Sequence, residues 1–227
     1  MNFTKVLTDA TPILLEGLEM TVMISILSIV IGMVIGLIMC LFGMTKNIIL
    51  RGISAVYIWL IRGTPMIVQA FIVFFGVPQV INMFMPGFTL NAFTAGLITL
   101  SLNAGAYLAE IFRGGISAVP KGQREAARSL GLSSTKTFIK VVLPQAIKIA
   151  IPSMVNQFII TVKDTSILSV IGLGELMNLG KVYVGSTYLF FETYVLVAIF
   201  YLIIISILMI ISKYVEKKFN YEAKSQS

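Results

Sequence analysis

Between Gly63 and Ala109 the chain runs 47 residues without a charged side chain. A membrane span needs about 20 apolar residues, so this run is too long for one crossing. Pro78 and Pro86-Gly87 punctuate it, and prolines of that kind end or break helices. Two spans are therefore predicted, over about 54–77 and 90–113. A second charge-free run, the 26 residues Met20–Thr45, predicts a first span over about 18–44. It is too long for the apolar part of a signal peptide, and Asp9, Glu16 and Glu19 precede it rather than a basic cluster. Hydrophobic sequence resumes at Ile149 and again near Thr193, predicting spans over about 149–174 and 192–213. The expected architecture is an all-α polytopic membrane protein of five transmembrane helices, one domain over residues 1–227.

Composition closes off other classes. Hydrophobic residues make up 57% and charged residues 12% of the chain, where a soluble domain carries roughly 25% charged. A soluble enzyme and a disordered chain are both excluded. Cys40 is the only cysteine and there is no histidine, so neither a disulfide nor a cysteine-based metal cage can form within the chain. No phosphate-binding GxxxxGK[ST] loop occurs, so the energy source is a gradient or a partner.

Lysine and arginine counts set the expected orientation. Lys46 and Arg51, the seven basic residues from Arg113 to Lys148, and Lys213, Lys217, Lys218 and Lys224 fall on one side, against Lys5 and Lys181 on the other. The rule that basic loops stay in the cytoplasm puts the N-terminus outside and the C-terminus inside. The net charge of +7 is thus a topology signal, and nucleic-acid binding has no place in it. The long basic loop, about 114–148, reads as helix, turn at Gly131, second short helix from Thr135 to Leu143, then interruption at Pro144. Ala126-Ala127 let a helix approach a partner closely and Glu125 offers it a charge; an ordinary amphipathic connector is equally consistent with these residue types.

Charges inside spans are costly and mark pathways or partners. Lys163-Asp164 lies about 20 Å into the fourth span, available to a substrate ammonium and carboxylate, or else to a neighbouring helix. Asn103, Tyr107 and Glu110, spaced four and three apart, share a face of the third span. Arg62 sits at a depth similar to that of Glu110, which predicts an Arg62–Glu110 pair, structural, gating or substrate-contacting. Thr64-Pro65 loosens the second span and frees a carbonyl, which either lines a cavity or is packed by neighbours. Gly32 and Gly36 are spaced for close helix contact.

The loop between the third and fourth spans resembles that of permeases of ATP-binding-cassette importers, whose pattern is Glu-Ala-Ala, three residues, Gly, nine residues, Ile, any residue, Leu-Pro. Here Glu125, Ala126, Ala127, Gly131, Leu143 and Pro144 match, with Val141 for the isoleucine. Further segments resemble the polar amino-acid importers of that family: Glu16-Gly17-Leu18 with Thr21, Arg62-Gly63-Thr64-Pro65 with Gln69, Ala106 to Glu110 with Arg113 to Ile116, Val162 to Ser166, and Gly172 to Leu176. The resemblance implies a type I importer permease in a bacterial cytoplasmic membrane. It implies a second permease subunit, two ATPase subunits gripping the loop, and an extracytoplasmic amino-acid-binding protein. ATP and magnesium would belong to the ATPases, with no cofactor on this non-catalytic chain. Asp164, Lys163, Asn103, Glu110, Arg62, Thr64 and Thr165 are then the expected pathway residues. A gradient-driven secondary transporter using Asp164 or Glu110 as an ion site is the alternative; it leaves the loop unexplained.

Overall fold

The computed structural model describes residues 2–224; Met1 and residues 225–227, which complete the expected domain, lie outside the described residues. Eight helices account for its architecture: α1 (Phe3–Met44), α2 (Ile48–Gly63), α3 (Met66–Asn82), α4 (Ala92–Ala118), α5 (Lys121–Ser129), α6 (Ser134–Ile171), α7 (Leu176–Thr187) and α8 (Phe190–Lys224). Helices α1, α4, α6 and α8 are each long and apolar enough to cross a membrane, and α2 with α3 passes the same test together, as a bent fifth candidate.

The first helix begins at Phe3 rather than near residue 18 and runs 42 residues, about 63 Å, roughly twice the apolar thickness of a bilayer. The charges that suggested a boundary lie on one side of a continuous amphipathic helix. Lys5, Asp9, Glu16 and Glu19 are exposed, while Val6, Ala10, Leu14 and Gly17 are buried against α7 and α8.

The second span is two helices, not one. At Gly63-Thr64-Pro65 the axis turns by 107°. Thr64 and Pro65 take extended backbone angles, as expected where a proline follows and cannot donate to the carbonyl four residues back.

Two other prolines do the reverse of what the sequence predicts. Neither Pro78 nor Pro144 breaks its helix. Each stands two residues after a π turn, Ile72–Gly76 and Phe138–Val142, in which the Val77 and Leu143 amides reach back five residues to Ile72 and Phe138. The carbonyl each proline ring would strike, that of Phe74 or Lys140, lies inside the widened turn. Consequently α6 continues for 38 residues from the hairpin into the membrane span. Its last residues, Thr165–Ile171, tighten to a 3-10 helix that ends at Gly172, whose φ of +78° suits glycine.

Small residues set the helix crossings. A Cβ on Gly36 would lie 2.8 Å from Leu108 Cβ, and one on Gly32 would lie 3.0 Å from Ala104 Cβ, so the predicted glycine pair is where α1 meets α4. At the far end of α1, Gly17 abuts the backbone of α7, with 2.8 Å between its hypothetical Cβ and Leu176 Cα. Helix α7 lies between the spans predicted over about 149–174 and 192–213, where the sequence predicts no helix. Its apolar face (Leu176, Gly180, Tyr183 and Val184) is short, and it packs between α1 and α8.

Gly17→Ala should therefore destabilise the folded chain by about 1–3 kcal/mol, because backbone rather than a flexible side chain opposes the new methyl. Gly52→Ala, which meets nothing within 4 Å, should be neutral or stabilising. Thermal unfolding in detergent compares them, and equal melting points for the two variants would contradict this packing.

Candidate functional site

The bend between α2 and α3 leaves carbonyls that no helix satisfies, and one side chain closes them. The Gln69 amide nitrogen donates to the carbonyls of Ile61 at 2.7 Å and Thr64 at 3.0 Å, and approaches Thr64 Oγ1 at 3.0 Å. The Thr64 hydroxyl donates in turn to the Leu60 carbonyl at 2.8 Å. On its other side Gln69 Oε1 accepts from Asn103 Nδ2 at 3.2 Å. Thr64 and Asn103, expected along the pathway, are thus engaged in holding the bend, and the buried Gln69 is the joint between them.

That joint sets Arg62 against α4. Asn103, Tyr107 and Glu110 form one face, and each meets the bend. Asn103 bonds Gln69, the Tyr107 ring lies 5.2 Å from the Arg62 guanidinium carbon, and Glu110 Oε2 is 3.5 Å from Arg62 Nη1. The same carboxylate oxygen accepts from Arg113 Nη2 at 2.5 Å. The expected Arg62–Glu110 pair therefore exists as part of a triad, two guanidiniums on one carboxylate, and it is partly open to the surroundings. Partial exposure screens the pair, so its value is positional more than energetic.

Lys163 and Asp164 end the α-helical part of α6. Among the described residues neither makes an ion pair, with the other or with the Arg62 triad. Lys163 is exposed and lines a groove of about 400 Å³ with Ser166 and with Tyr201, Leu202 and Ile205 of α8; Asp164 is half-buried. Thr165 is fully buried, and its hydroxyl is spent on the Val162 carbonyl at 2.8 Å. Immediately beyond, Leu168 packs with Ala70 of α3, so the bend and the Lys163-Asp164 segment share one core.

A second buried polar group carries no sequence-derived role. Glu175 is 0% exposed. Its carboxylate caps α7, accepting from the Met177 amide at 2.9 Å and the Asn178 amide at 2.7 Å, and accepts from the Tyr201 hydroxyl at 3.0 Å. Thr21 stands beside it, accepting from the Leu176 amide at 3.2 Å and donating to the Gly17 carbonyl at 2.9 Å. This gives a physical content to Gly17 and Thr21 in the N-terminal pattern: both seat α7 on α1. An acidic residue directly before an apolar helical run is a capping signal, and that signal was available in the sequence.

At the basic end, α5 and the start of α6 make a hairpin. The Leu132 amide bonds the Ala127 carbonyl at 3.2 Å, and the Gly131 amide bonds Arg128 at 3.0 Å, the pair of bonds that ends a helix at a left-handed glycine. Gly131 has φ +82°. Ser133 caps the second arm by accepting from the Lys136 amide. Ala127 is buried, while Glu125, Ala126 and Leu130 face outward. Leu143 is half-buried and Pro144 exposed, both within unbroken helix. Arg124 Nη2 donates to the Ile116 carbonyl at 2.6 Å, tying the hairpin to the end of α4.

The model of one protein family, described as binding-protein-dependent transport system inner membrane component, matches residues 13–221. A glutamine transport system permease protein of Escherichia coli K12 is 39% identical over 209 residues, 92% of this chain and 94% of that one. An arginine transport system permease protein of Bacillus subtilis 168 is 38% identical over 207 residues, 91% and 92% of the two chains. A solved structure of an amino acid ABC transporter with histidines superposes with a TM-score of 0.90 at 35% identity, covering 96% of this chain and 99% of that one. Inward-facing MetNI methionine ABC transporter shares the fold, with a TM-score of 0.76 at 20% identity, over 92% and 97%.

Removing the Gln69 amide should expose the weakness of the bend. Gln69→Leu strands the Ile61 carbonyl and the Asn103 amide and should cost about 1–3 kcal/mol. Unfolding measured by thermal scanning fluorimetry reads the loss; a melting point equal to that of the parent chain would mean the bend is held by packing alone.

Proposed function

The chain belongs to the family of binding-protein-dependent transport system inner membrane components, and from that membership we propose that it is the membrane-spanning permease subunit of an ATP-driven importer of polar amino acids in a bacterial cytoplasmic membrane. Glutamine and arginine permeases stand among its relatives, and mixed-sign charges at membrane depth suit a zwitterion. A gradient-driven secondary transporter does not fit this membership.

The observation that carries the mechanism is the continuity of α6. From Ser134 in the hairpin to Asp164 the chain is helical without a break, a distance of about 45 Å. ATP hydrolysis would belong to partner subunits seated on Glu125 and Ala126, on the outward face of α5, and on Leu130 just beyond its end. Their closure would move the hairpin as one body, since the Gly131 turn and the Arg124–Ile116 bond leave it little freedom. Motion would then pass along α6 to Lys163-Asp164, and through Ile116 to α4, which carries Asn103, Tyr107 and Glu110. Both charged centres would answer to one lever.

Asp164 and Lys163 would contact the ammonium and carboxylate of the substrate, and the Arg62–Glu110–Arg113 triad would form a polar gate nearer the basic end. Gln69, Thr64 and Asn103 would hold the bend, and buried Thr165 would shape the wall without touching substrate. A second permease subunit would complete the channel, fed by an extracytoplasmic binding protein. ATP and magnesium would reside on the ATPases.

Two outcomes follow for the reconstituted transporter in proteoliposomes. Gly131→Val strains the turn by about 1–2 kcal/mol and Glu125→Gln removes the charge on the docking face; both should lower substrate moved per ATP hydrolysed while leaving membrane insertion intact. A wild-type ratio in both would contradict the lever. Asp164→Asn should weaken apparent substrate affinity in transport with the complex still assembled, and an unaltered affinity and rate would take Asp164 out of the pathway.

A further inference from the structure

Inside the α5–α6 hairpin two buried polar atoms lack a hydrogen-bond partner among the described residues: Nε of Arg124 and the hydroxyl oxygen of Thr137. They come from opposite arms of the hairpin, and both residues line one cleft of about 310 Å³ together with Arg128, Ser134, Phe138 and Val142. Thr137 is 4% exposed. Native proteins rarely bury an N–H or O–H without an acceptor, because its lost hydration is then uncompensated. The rest of the lining sharpens the chemistry. It holds two guanidiniums and two hydroxyls, and no carboxylate. Arg124 is oriented by its bond to the Ile116 carbonyl, and Arg128 Nη1 donates to Ser134 Oγ. Glu125, the neighbouring acid, is exposed and not part of the lining. A water would satisfy the hydroxyl but brings no negative charge to the two guanidiniums that line the cleft. A tetrahedral oxyanion brings both the charge and the acceptor atoms that guanidiniums and hydroxyls call for.

We propose that the cleft between the arms of the hairpin is a binding site for a phosphate group, with Arg124 and Arg128 supplying charge and Ser134 and Thr137 supplying hydroxyl donors. Phe138 and Val142 form its apolar side. The phosphate is either free inorganic phosphate or the headgroup of an anionic phospholipid, since the hairpin belongs to the basic end of the bundle. Bound there, it joins α5 to the first turns of α6 and stiffens the hairpin. The site does not depend on what the outer face of α5 contacts, so its failure would leave the proposed transport function standing.

Thr137→Val tests it without endangering the fold, because the Thr137 hydroxyl holds no partner to lose. The full chain is purified in detergent free of phosphate and sulfate, then titrated with inorganic phosphate against sodium chloride at matched ionic strength. A saturable rise in melting temperature is expected. Thr137→Val should melt at or above the parent temperature without phosphate and lose most of the rise with it. Arg128→Gln should weaken phosphate binding about tenfold, as for loss of one charge-assisted contact, and Lys140→Gln, outside the cleft, should bind as the parent does. A parallel arm compares nanodiscs of phosphatidylcholine with nanodiscs containing phosphatidylglycerol. Stabilisation by phosphatidylglycerol that Thr137→Val abolishes supports the site with a headgroup as ligand, and a response to inorganic phosphate alone supports it with the free anion. No saturable response to either probe, or responses that survive both Thr137→Val and Arg128→Gln, would mean an adventitious ion only and overturn the proposal.

Discussion

Hydrocarbon offers a peptide group no hydrogen bond, so a chain that departs from the α-helix within a membrane must close each departure itself. This constraint organises the molecule. Where α2 turns by 107° into α3, the Gln69 side chain supplies the donor that the missing helix would have supplied. Where α7 starts, Glu175 receives the first free amides. Each repair brings a second bond that reaches another helix, Gln69 to Asn103 on α4 and Glu175 to Tyr201 on α8. Local backbone need and long-range tertiary order are met by the same side chains.

The charged residues fall into place around these repairs. Arg62 falls in the last turn of α2 because the bend ends that helix at Gly63, and its guanidinium reaches Tyr107 and Glu110 from that position. Arg62, Glu110 and Arg113 leave a surplus positive charge that is partly open to the surroundings, so solvent screens it. Lys163 and Asp164 are the complementary case, charges without an ion-pair partner among the described residues, beside a 3-10 turn that buries Thr165, Leu168 and Ile171. Close helix contact at Gly17, Gly32 and Gly36 keeps the scaffold around them rigid.

Much of this was legible in the sequence, and the remainder was not for identifiable reasons. Charge-free runs place the crossings, and helical spacing on α4 predicts which residues face Arg62. The N-terminal third of α1 was hidden because Asp9, Glu16 and Glu19 read as a membrane boundary, whereas only their apolar partners at helical spacing reveal that the helix continues. Helix α7 was hidden because one short apolar face does not distinguish a packed helix from a loop. Proline rules failed at Pro78 and Pro144 because those rules assume α geometry in the preceding turn, and here it is π. Pro65 behaves as the rule says, while Pro12 and Pro152 are carried inside α-helix with no π turn before them.

The π turn at Phe138–Val142 also fixes the azimuth of everything beyond it. Successive α-helical residues differ by about 100° of rotation, and a π turn accommodates one residue more than an α turn would. Were this segment to rewind into ordinary α-helix, the face presented by Lys163-Asp164 would swivel by a sizeable fraction of a revolution with respect to the hairpin. Pro144 opposes that rewinding, since in α geometry its ring would crowd the Lys140 carbonyl four residues back. One imino acid at the foot of a long rod thereby sets which way the charges at its head are aimed.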